Sequence, residues 1–429
     1  SAHQGRDPLG ASSSEETEMS NTTLTADIVA KSALPILENE LGWVNQLYRA
    51  PEEEFSKSVN GYKVGDEISI RRPADFTVRT GPTLSTQDVI EGKTTLKVDQ
   101  QIGVDFEFSS TDLTLKIEDL AERVMKPAMM SIVNHIAADC ASQMYSGFYN
   151  WVGTPGQIVN SYADFARGPE RLTEMSVPYD GRIALLAPSD NWGLIGSQTN
   201  LFNGGLVSSA YTDGRLGKVG GCETFESQVA PSHTTGTRDN TSPLVNGADQ
   251  NVTYDTAKNT WSQSLICDGF DASSTVKKGD VFTIAGVYMV NQRTKASTGI
   301  LQQFVATADG TATAGALTMT ISPPIIIAGP HQTVDAKPAD NAALTFVGDP
   351  STTYKQSMAF HKNAMALACV PMELPAAAYG SARRSYKGFS VRVIPIYDGT
   401  NDISKWRLDM LYGRKLIDPR TGLRLSGTA

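Results

Sequence analysis

The stretch Phe360-His-Lys-Asn-Ala-Met-Ala-Leu-Ala-Cys-Val-Pro-Met-Glu-Leu-Pro375 runs on through Tyr397-Asp-Gly-Thr-Asn-Asp402 to Gly413-Arg-Lys-Leu-Ile-Asp-Pro-Arg-Thr-Gly422. Residues 389–412 read as a strand, an Asp398-Gly-Thr-Asn turn and a second strand, because two apolar runs flank a cluster of turn formers. Upstream, helical periodicity is expected to resume at Tyr354. No nucleophile, base and oxyanion site can be assembled here or elsewhere in the chain.

From about Glu223 to Pro350 the composition shifts toward Thr, Ser, Gly, Asn and Asp. Short strand signals recur at Thr260–Leu265, Val281–Val290, Ile300–Ala306, Leu317–Ile321 and Ala343–Val347. Closely spaced short strands with turn residues between them predict a small β-barrel, inserted into a host fold. Residues 150–222 read as mixed α/β, with Ile183–Ala187 a short buried strand ended by Pro188 and a helix starting at Ser189-Asp190. Their glycines match no phosphate-binding pattern. Asp112 to Phe148 is one long amphipathic segment. Leu113, Ile117, Leu120, Val124, Ala128, Ile132, Ile136, Cys140 and Met144 recur at three or four residues. Thr111 is the expected cap, and Pro127 predicts a bend near Arg123–Lys126.

Lys63–Ile70 and Thr94–Phe108 each alternate polar and apolar residues, on either side of a turn region around Gly81-Pro-Thr. This predicts a long two-stranded ribbon. A lone ribbon is marginal in water, so it is expected to lie on a neighbouring subunit. Residues 20–50 read as a helical arm, with Ile28, Val29, Ala33, Ile36, Leu37 and Leu41 at helical spacing, Thr25 as cap and Pro35 as a kink. Residues 1–60 hold ten acids and four bases, whereas residues 381–429 hold ten bases and four acids. Exposed pairs are worth only ~0.2–1 kcal/mol each, so this asymmetry sets register and partner choice rather than driving association.

A length of 429 residues suggests two or three domains. A formal charge of -9 and a pI near 5.2 argue against tight nucleic-acid binding, which rests on a basic face. Cys140, Cys222, Cys267 and Cys369 are far apart and are expected to be reduced, buried thiols of a cytosolic chain. No apolar run approaches the ~20 residues of a membrane span. Ser1 to Thr17 lacks the basic start and apolar centre of a signal peptide. It reads as a polar tail or extension, with Met19-Ser-Asn resembling a natural start.

The C-terminal residues quoted above, the segment Lys277-Lys-Gly-Asp-Val-Phe-Thr-Ile-Ala-Gly-Val-Tyr-Met-Val290 and the order of elements together resemble the major coat proteins of tailed bacteriophages. The resemblance is to the branch typified by the short-tailed Salmonella phage P-twenty-two. It covers roughly residues 20–429 and is strongest over 277–290 and 359–425. It implies an α+β fold of Hong Kong 97 type: N-terminal arm, extended β-ribbon loop, long spine helix, peripheral and axial domains, and an inserted small β-barrel domain. The corresponding divisions are 1–19 as a disordered tail or extension, 20–60 as the helical arm and 61–110 as the ribbon loop. Residues 111–222 form the spine helix and mixed core, 223–352 the inserted barrel, and 353–429 the axial and peripheral core with the C-terminal strands.

The resemblance implies a major capsid protein, not an enzyme, that self-assembles into hexamers and pentamers with a scaffolding protein. A portal would occupy one vertex of an icosahedral head enclosing double-stranded DNA, which is met by non-specific proximity. No membrane and no cofactor is implied. The place of action is the virion, after assembly in the host bacterial cytoplasm. The branch's arm contacts scaffold largely through charge, so Asp27, Glu38 and Glu40 are the scaffold-contact candidates. Asp268, Asp271, Arg383 and Arg384 are the intersubunit candidates.

Candidate chemistry is thin. His135 and Asp139 have the four-residue spacing of a helical metal pair, without a third ligand in view. His361 and Cys369 are too far apart along a helix to form a catalytic couple. Asp398–Asp402 resembles part of a calcium loop but lacks its glycine and glutamate, so a hairpin turn is expected. Asp268, Asp271 and Asp280 read as solvated loop acids or an intersubunit patch. The rival reading is an extracellular structural or adhesion module, drawn from the Thr/Ser/Gly-rich region. It would require a signal sequence.

Overall fold

The computed structural model describes residues 26–40, 42–51, 67–79, 81–84, 86–109, 121–198, 214, 216–238, 242–375, 380–386, 389–401 and 403–428. Helix α1 (Ala26–Glu40) leads to a 3-10 turn at Gly42–Gln46. Strands β1 (Glu67–Arg71) and β2 (Lys93–Ser109) follow. A π-helical turn at Ala121–Met125 runs into helix α2 (Lys126–Gly147). Next come β3 (Asn150–Val152), α3 (Tyr162–Glu174), β4 (Arg182–Leu186) and α4 (Pro188–Gln198). Three short strands follow: β5 (Lys218–Val219), β6 (Cys222–Glu226) and β7 (Ser232–Thr234). A β-rich section holds β8 (Leu244–Val245), β9 (Gln263–Asp268), β10 (Thr275–Val276) and β11 (Val281–Val290). It continues with β12 (Ser297–Ala306), β13 (Gly310–Thr311), β14 (Leu317–Ser322) and β15 (Leu344–Phe346). The chain ends with β16 (Thr353–Lys355), β17 (Ser357–His361), β18 (Met365–Val370) and β19 (Ala382–Tyr386). The last strands are β20 (Phe389–Asp398), β21 (Ile403–Leu416) and β22 (Gly422–Leu425).

Two six-stranded sheets form the host fold. One has the order β1-β2-β21-β20-β19, with β18 also pairing β21; the other has the order β3-β22-β17-β4-β6-β5. Helices α1 and α2 bury their apolar stripes against both. On α2 the stripe is Ala128, Met129, Ile132, Val133, Ile136, Ala137, Cys140, Ala141 and Met144. Pro127 stands in the first turn of α2, where no intrahelical donor is needed. A π-helical turn at Ala121–Met125 occupies the place where the bend is expected. Residues 110–120, including Thr111 and the start of the expected helix, lie outside the described residues, as do Thr25 and Leu41. Pro35 sits inside α1 without dividing it. Its ring displaces only the bond to the carbonyl of Lys31, and both residues face solvent, so water can satisfy the freed group.

The β-rich section has its own core, in which Phe282, Phe304, Leu265, Met319, Ile321 and Ile284 are almost wholly buried. Its sheet runs β15-β11-β12-β14-β9-β8, and a bridge between Leu244 and Ala343 brings the two ends together. The sheet is thus barrel-like, and the strands expected between residues 260 and 347 are present. Entry and exit are clasped by the pairing of β7 with β16.

The helix expected from Tyr354 is replaced by β16, β17 and β18. The reason lies in burial on both faces. In β18, Met365, Leu367 and Cys369 enter one core cluster, while Ala366, Ala368 and Val370 enter another. A strand buried on both sides loses its alternation, and a short apolar run of this kind cannot be told from a helix by periodicity.

The ribbon also differs from expectation. β1 pairs β2 over only five residues, Glu67–Arg71 with Lys93–Lys97. From Val98 to Ser109, β2 lies beside β21 of the same chain. A bulge between Val98 and Gln100 turns the even-numbered residues from one face to the other. Leu96 and Val98 therefore join the cluster of β18 and Leu411, whereas Ile102, Val104 and Phe106 pack under α1 and α2. So this part of the ribbon has an intramolecular bed. The described residues between 72 and 92 form no strand and belong to an extended loop. Lys63–Asp66 lie outside the described residues.

Candidate assembly surfaces

The predicted contact residues fall in three places. Asp27 lies in the first turn of α1, and Arg384 on β19 grips it with two bonds, Nε to Oδ1 at 2.5 Å and Nη2 to Oδ2 at 2.6 Å. One scaffold candidate and one intersubunit candidate are therefore paired within the chain. The hydrogen bond from Arg384 holds the Asp27 carboxyl below its ordinary value. A helix of this length is marginal alone. Its order comes from buried Ala26, Val29, Ala30, Ala33 and Leu34, with the bidentate pair fixing its position on the sheet edge. Glu38 and Glu40 fall in the last turn of α1; their side chains lie outside the described residues. Arg383 donates to the Met372 carbonyl at 2.9 Å. Asp268 ends β9, half-buried, and Asp271 is exposed on the turn beyond it.

The extended loop presents Phe76, Val78, Leu84 and Val89, which are 57%, 93%, 78% and 64% exposed. Its two limbs are linked by Gln87, whose side chain accepts from Thr77 N at 2.9 Å and donates to Thr77 O at 2.6 Å. At its base, Asp75 meets Arg420 at 3.2 Å and His331 at 3.4 Å. Burial alone raises the Asp75 pKa, but the His331 hydrogen bond and the Arg420 charge outweigh it and hold the group at about 2. His331 stacks on Tyr254 at 3.6 Å, and the Arg420 guanidinium lies over Trp261. A side chain at Gly92 would meet the Lys258 carbonyl at 2.2 Å, so glycine is required for the loop to approach the barrel-like unit. Ile396 and Tyr397, also exposed, mark the tip of the β20–β21 hairpin.

A second buried charge cluster forms the neck of the β-rich section. Asp280, expected at the surface, has a fully buried side chain. It pairs with Arg238 at 2.8 Å and His233 at 2.9 Å and accepts from the backbone N–H of Gly236 and Lys277. Two side-chain partners and two backbone N–H groups thus face the carboxylate, which is what permits the burial. From the host fold, Arg424 on β22 donates to the carbonyls of Gly279 at 2.7 Å and Phe148 at 3.2 Å. Its guanidinium lies 5.3 Å from the Trp151 ring centroid and 5.5 Å from that of Tyr145. Sequence reasoning missed this cluster.

The positions weighed for chemistry have structural partners. His135 is exposed, while Asp139 binds Arg414 and accepts from the Tyr412 hydroxyl at 2.7 Å. His361 Nδ1 accepts from Asn363 N, and Cys369 contacts the Ser390 backbone. Asp398 caps the hairpin turn through Thr400 N and Asn401. All four cysteines are buried and none forms a disulfide, and burial pushes the Cys140 and Cys267 thiols up to about 12. Among the described residues there is no cluster of three metal-ligating side chains, and no helix is long and apolar enough to cross a membrane.

A family model described as P22 coat protein - gene protein 5 matches residues 43–427. The "Major capsid protein" of Acyrthosiphon pisum secondary endosymbiont phage 1 is 23% identical over 420 residues, 94% of this chain and 97% of that protein. A solved structure from Mycobacterium phage Che8 is 13% identical, covers 89% of each chain and has a TM-score of 0.44. The CUS-3 coat protein I-domain is 34% identical with a TM-score of 0.19, over 25% of this chain and 96% of its own.

Proposed function

The chain belongs to the P22 coat protein family, and from that premise we propose that it closes into an icosahedral head around a scaffolding protein engaged by its acidic arm. It is a phage major capsid protein of Hong Kong 97-type fold, a structural protein rather than an enzyme. The observation that carries the assembly reading is the family match across residues 43–427. The extended loop supports it, since a run of exposed apolar side chains is what a surface completed by another copy requires. We assign hexamers and pentamers as the assembly units, a portal to one vertex, and double-stranded DNA to the interior without sequence-specific contact. Assembly is placed in the host cytoplasm. Asp268 and Asp271 on the barrel-like unit are proposed to meet neighbouring copies.

Glu38 and Glu40 are the preferred scaffold contacts. Asp27 is a weaker one, because Arg384 already occupies it. Coexpression with the scaffolding protein of the same phage, followed by electron microscopy, is expected to show closed shells. Glu38→Gln with Glu40→Gln is expected to lower shell yield and flatten its dependence on salt. A subunit that stays monomeric at high concentration with scaffold present would overturn the assembly reading. Unchanged yield and salt dependence in the double variant would overturn the charged-arm assignment alone.

A further inference from the structure

A cleft of about 440 Å³ lies where the base of the extended loop, the end of α2 and the β-rich section meet. Its volume is within the roughly 300–1,000 Å³ of small-molecule sites. Its charged lining residues are Arg72, Lys93, Lys278 and Lys415, with no carboxylate among the lining side chains. Arg72 is 7% exposed, and its guanidinium is directed at the backbone carbonyls of Ile417 and Lys258. The acid whose charge acts on it, Asp418, is also paired with Arg420 at 2.8 Å. Burial pushes the Lys415 amine down, and the charges of Arg72 and Lys278 push it further the same way.

Two further lining side chains lack what buried polar groups ordinarily have. Thr94 is 2% exposed and Ser322 4% exposed, and neither hydroxyl has a hydrogen-bond partner. Such groups are nearly always satisfied, and both oxygens lie beneath the wall of the cleft with almost no accessible surface of their own. A plainer account is that the cations serve the C-terminal end of α2, whose last turn carries no base. Magnitudes decide against it. A helix C-terminus amounts to about half a negative charge, whereas the cleft holds four positive ones.

We propose that this cleft is a binding site for phosphate-class anions that tie the extended-loop base, the barrel-like unit and the host fold together. Lysine ammonium groups bind phosphate as point charges. A bound oxyanion also cancels the mutual repulsion of Arg72, Lys278 and Lys415, so it stabilises the junction by mass action. Free polyphosphates and the backbone of enclosed DNA offer the same chemistry.

The test uses the full-length unassembled subunit, so its result does not depend on shell formation. Thermal unfolding and calorimetry are run with inorganic phosphate, tripolyphosphate and a short single-stranded oligonucleotide, at ionic strength held constant with chloride. Tripolyphosphate is expected to raise the unfolding midpoint saturably by several degrees. Lys415→Gln and Lys278→Gln are each expected to weaken its binding about tenfold. The Lys278 side chain is exposed and its charge repels Lys415, so its variant should not lower the ligand-free midpoint and serves as the decisive one. Competition by the oligonucleotide supports the proposal with nucleic-acid phosphate as the source; its failure to compete supports it with small phosphates. Equal protection by chloride, or unaltered tripolyphosphate affinity in Lys278→Gln, overturns it.

Discussion

Asp280 shows how one carboxylate can hold a domain junction. Removing such a group from water costs several kcal/mol, and only the facing Arg238, His233 and two backbone N–H groups make it tolerable. Burial raises its pKa, and the His233 hydrogen bond and Arg238 charge lower it by more, so the folded value lies below the ordinary one. The contribution is thus complete above about pH 3.9 and is lost as pH falls through the lower folded value. Asp280→Asn is expected to destabilise the subunit by about 3 kcal/mol, because Arg238 becomes a buried charge without a counter-ion. Urea unfolding measures this, and a loss under ~1 kcal/mol would mean the neck is held by something else. Nothing in the sequence marks Asp280 out. It sits in a Lys-Lys-Gly-Asp turn among solvated acids, and its side-chain partners lie more than forty residues upstream. Gly286 is a different case, since its backbone is at φ +77° and an added Cβ would meet nothing within 4 Å. The objection to a side chain there is conformational, not steric. Gly286→Ala is expected to cost about 1 kcal/mol and Gly286→Pro about 3 kcal/mol or more, with reduced soluble yield. Equal soluble yields for Gly286→Pro and the parent would refute this.

The extended loop is held as an element by its base. Asp75 is the hinge of that attachment, and its folded value of about 2 lies below the ordinary carboxylate value near 3.9. The link should be intact above about pH 4 and loosen as pH falls toward 2, a change worth about 2 kcal/mol in full. Hydrogen exchange across that range is expected to show residues 72–79 losing protection before the β2–β21 ladder does. Asp75→Asn should show the same loosening at neutral pH. Simultaneous loss in loop and ladder would mean the base is not a separate unit. Legibility at this scale followed burial. The strands of the barrel-like unit, such as β11 and β12, were legible as short runs bounded by turn residues. β17 and β18, dry on both faces, mimicked a helix. The β2 signal was correct as a strand and β1 is one of its partners, but the longer pairing with β21 was missed, because alternation reports which face is buried and not which strand lies alongside.

At the scale of the molecule, folding and assembly draw on different surfaces. The subunit's apolar clusters are closed by its own helices and sheets, whereas the loop tip leaves Val78 93% exposed and Leu84 78% exposed. Side chains that touch so little of their own chain contribute little to its stability. Substitutions there should stay within about 0.5 kcal/mol of the parent. Each apolar side chain buried between copies would instead add roughly 1.5–3 kcal/mol to association, and a charge placed in that interface would have to be desolvated without a partner. Val78→Asp with Leu84→Asp is therefore expected to leave the urea midpoint of the isolated subunit unchanged while abolishing closed shells in the presence of scaffold. Sedimentation velocity separates free subunits from shells directly. Shells at the parental yield would show that the tip makes no contact between copies. A lowered midpoint would show that the tip belongs to the subunit's own core.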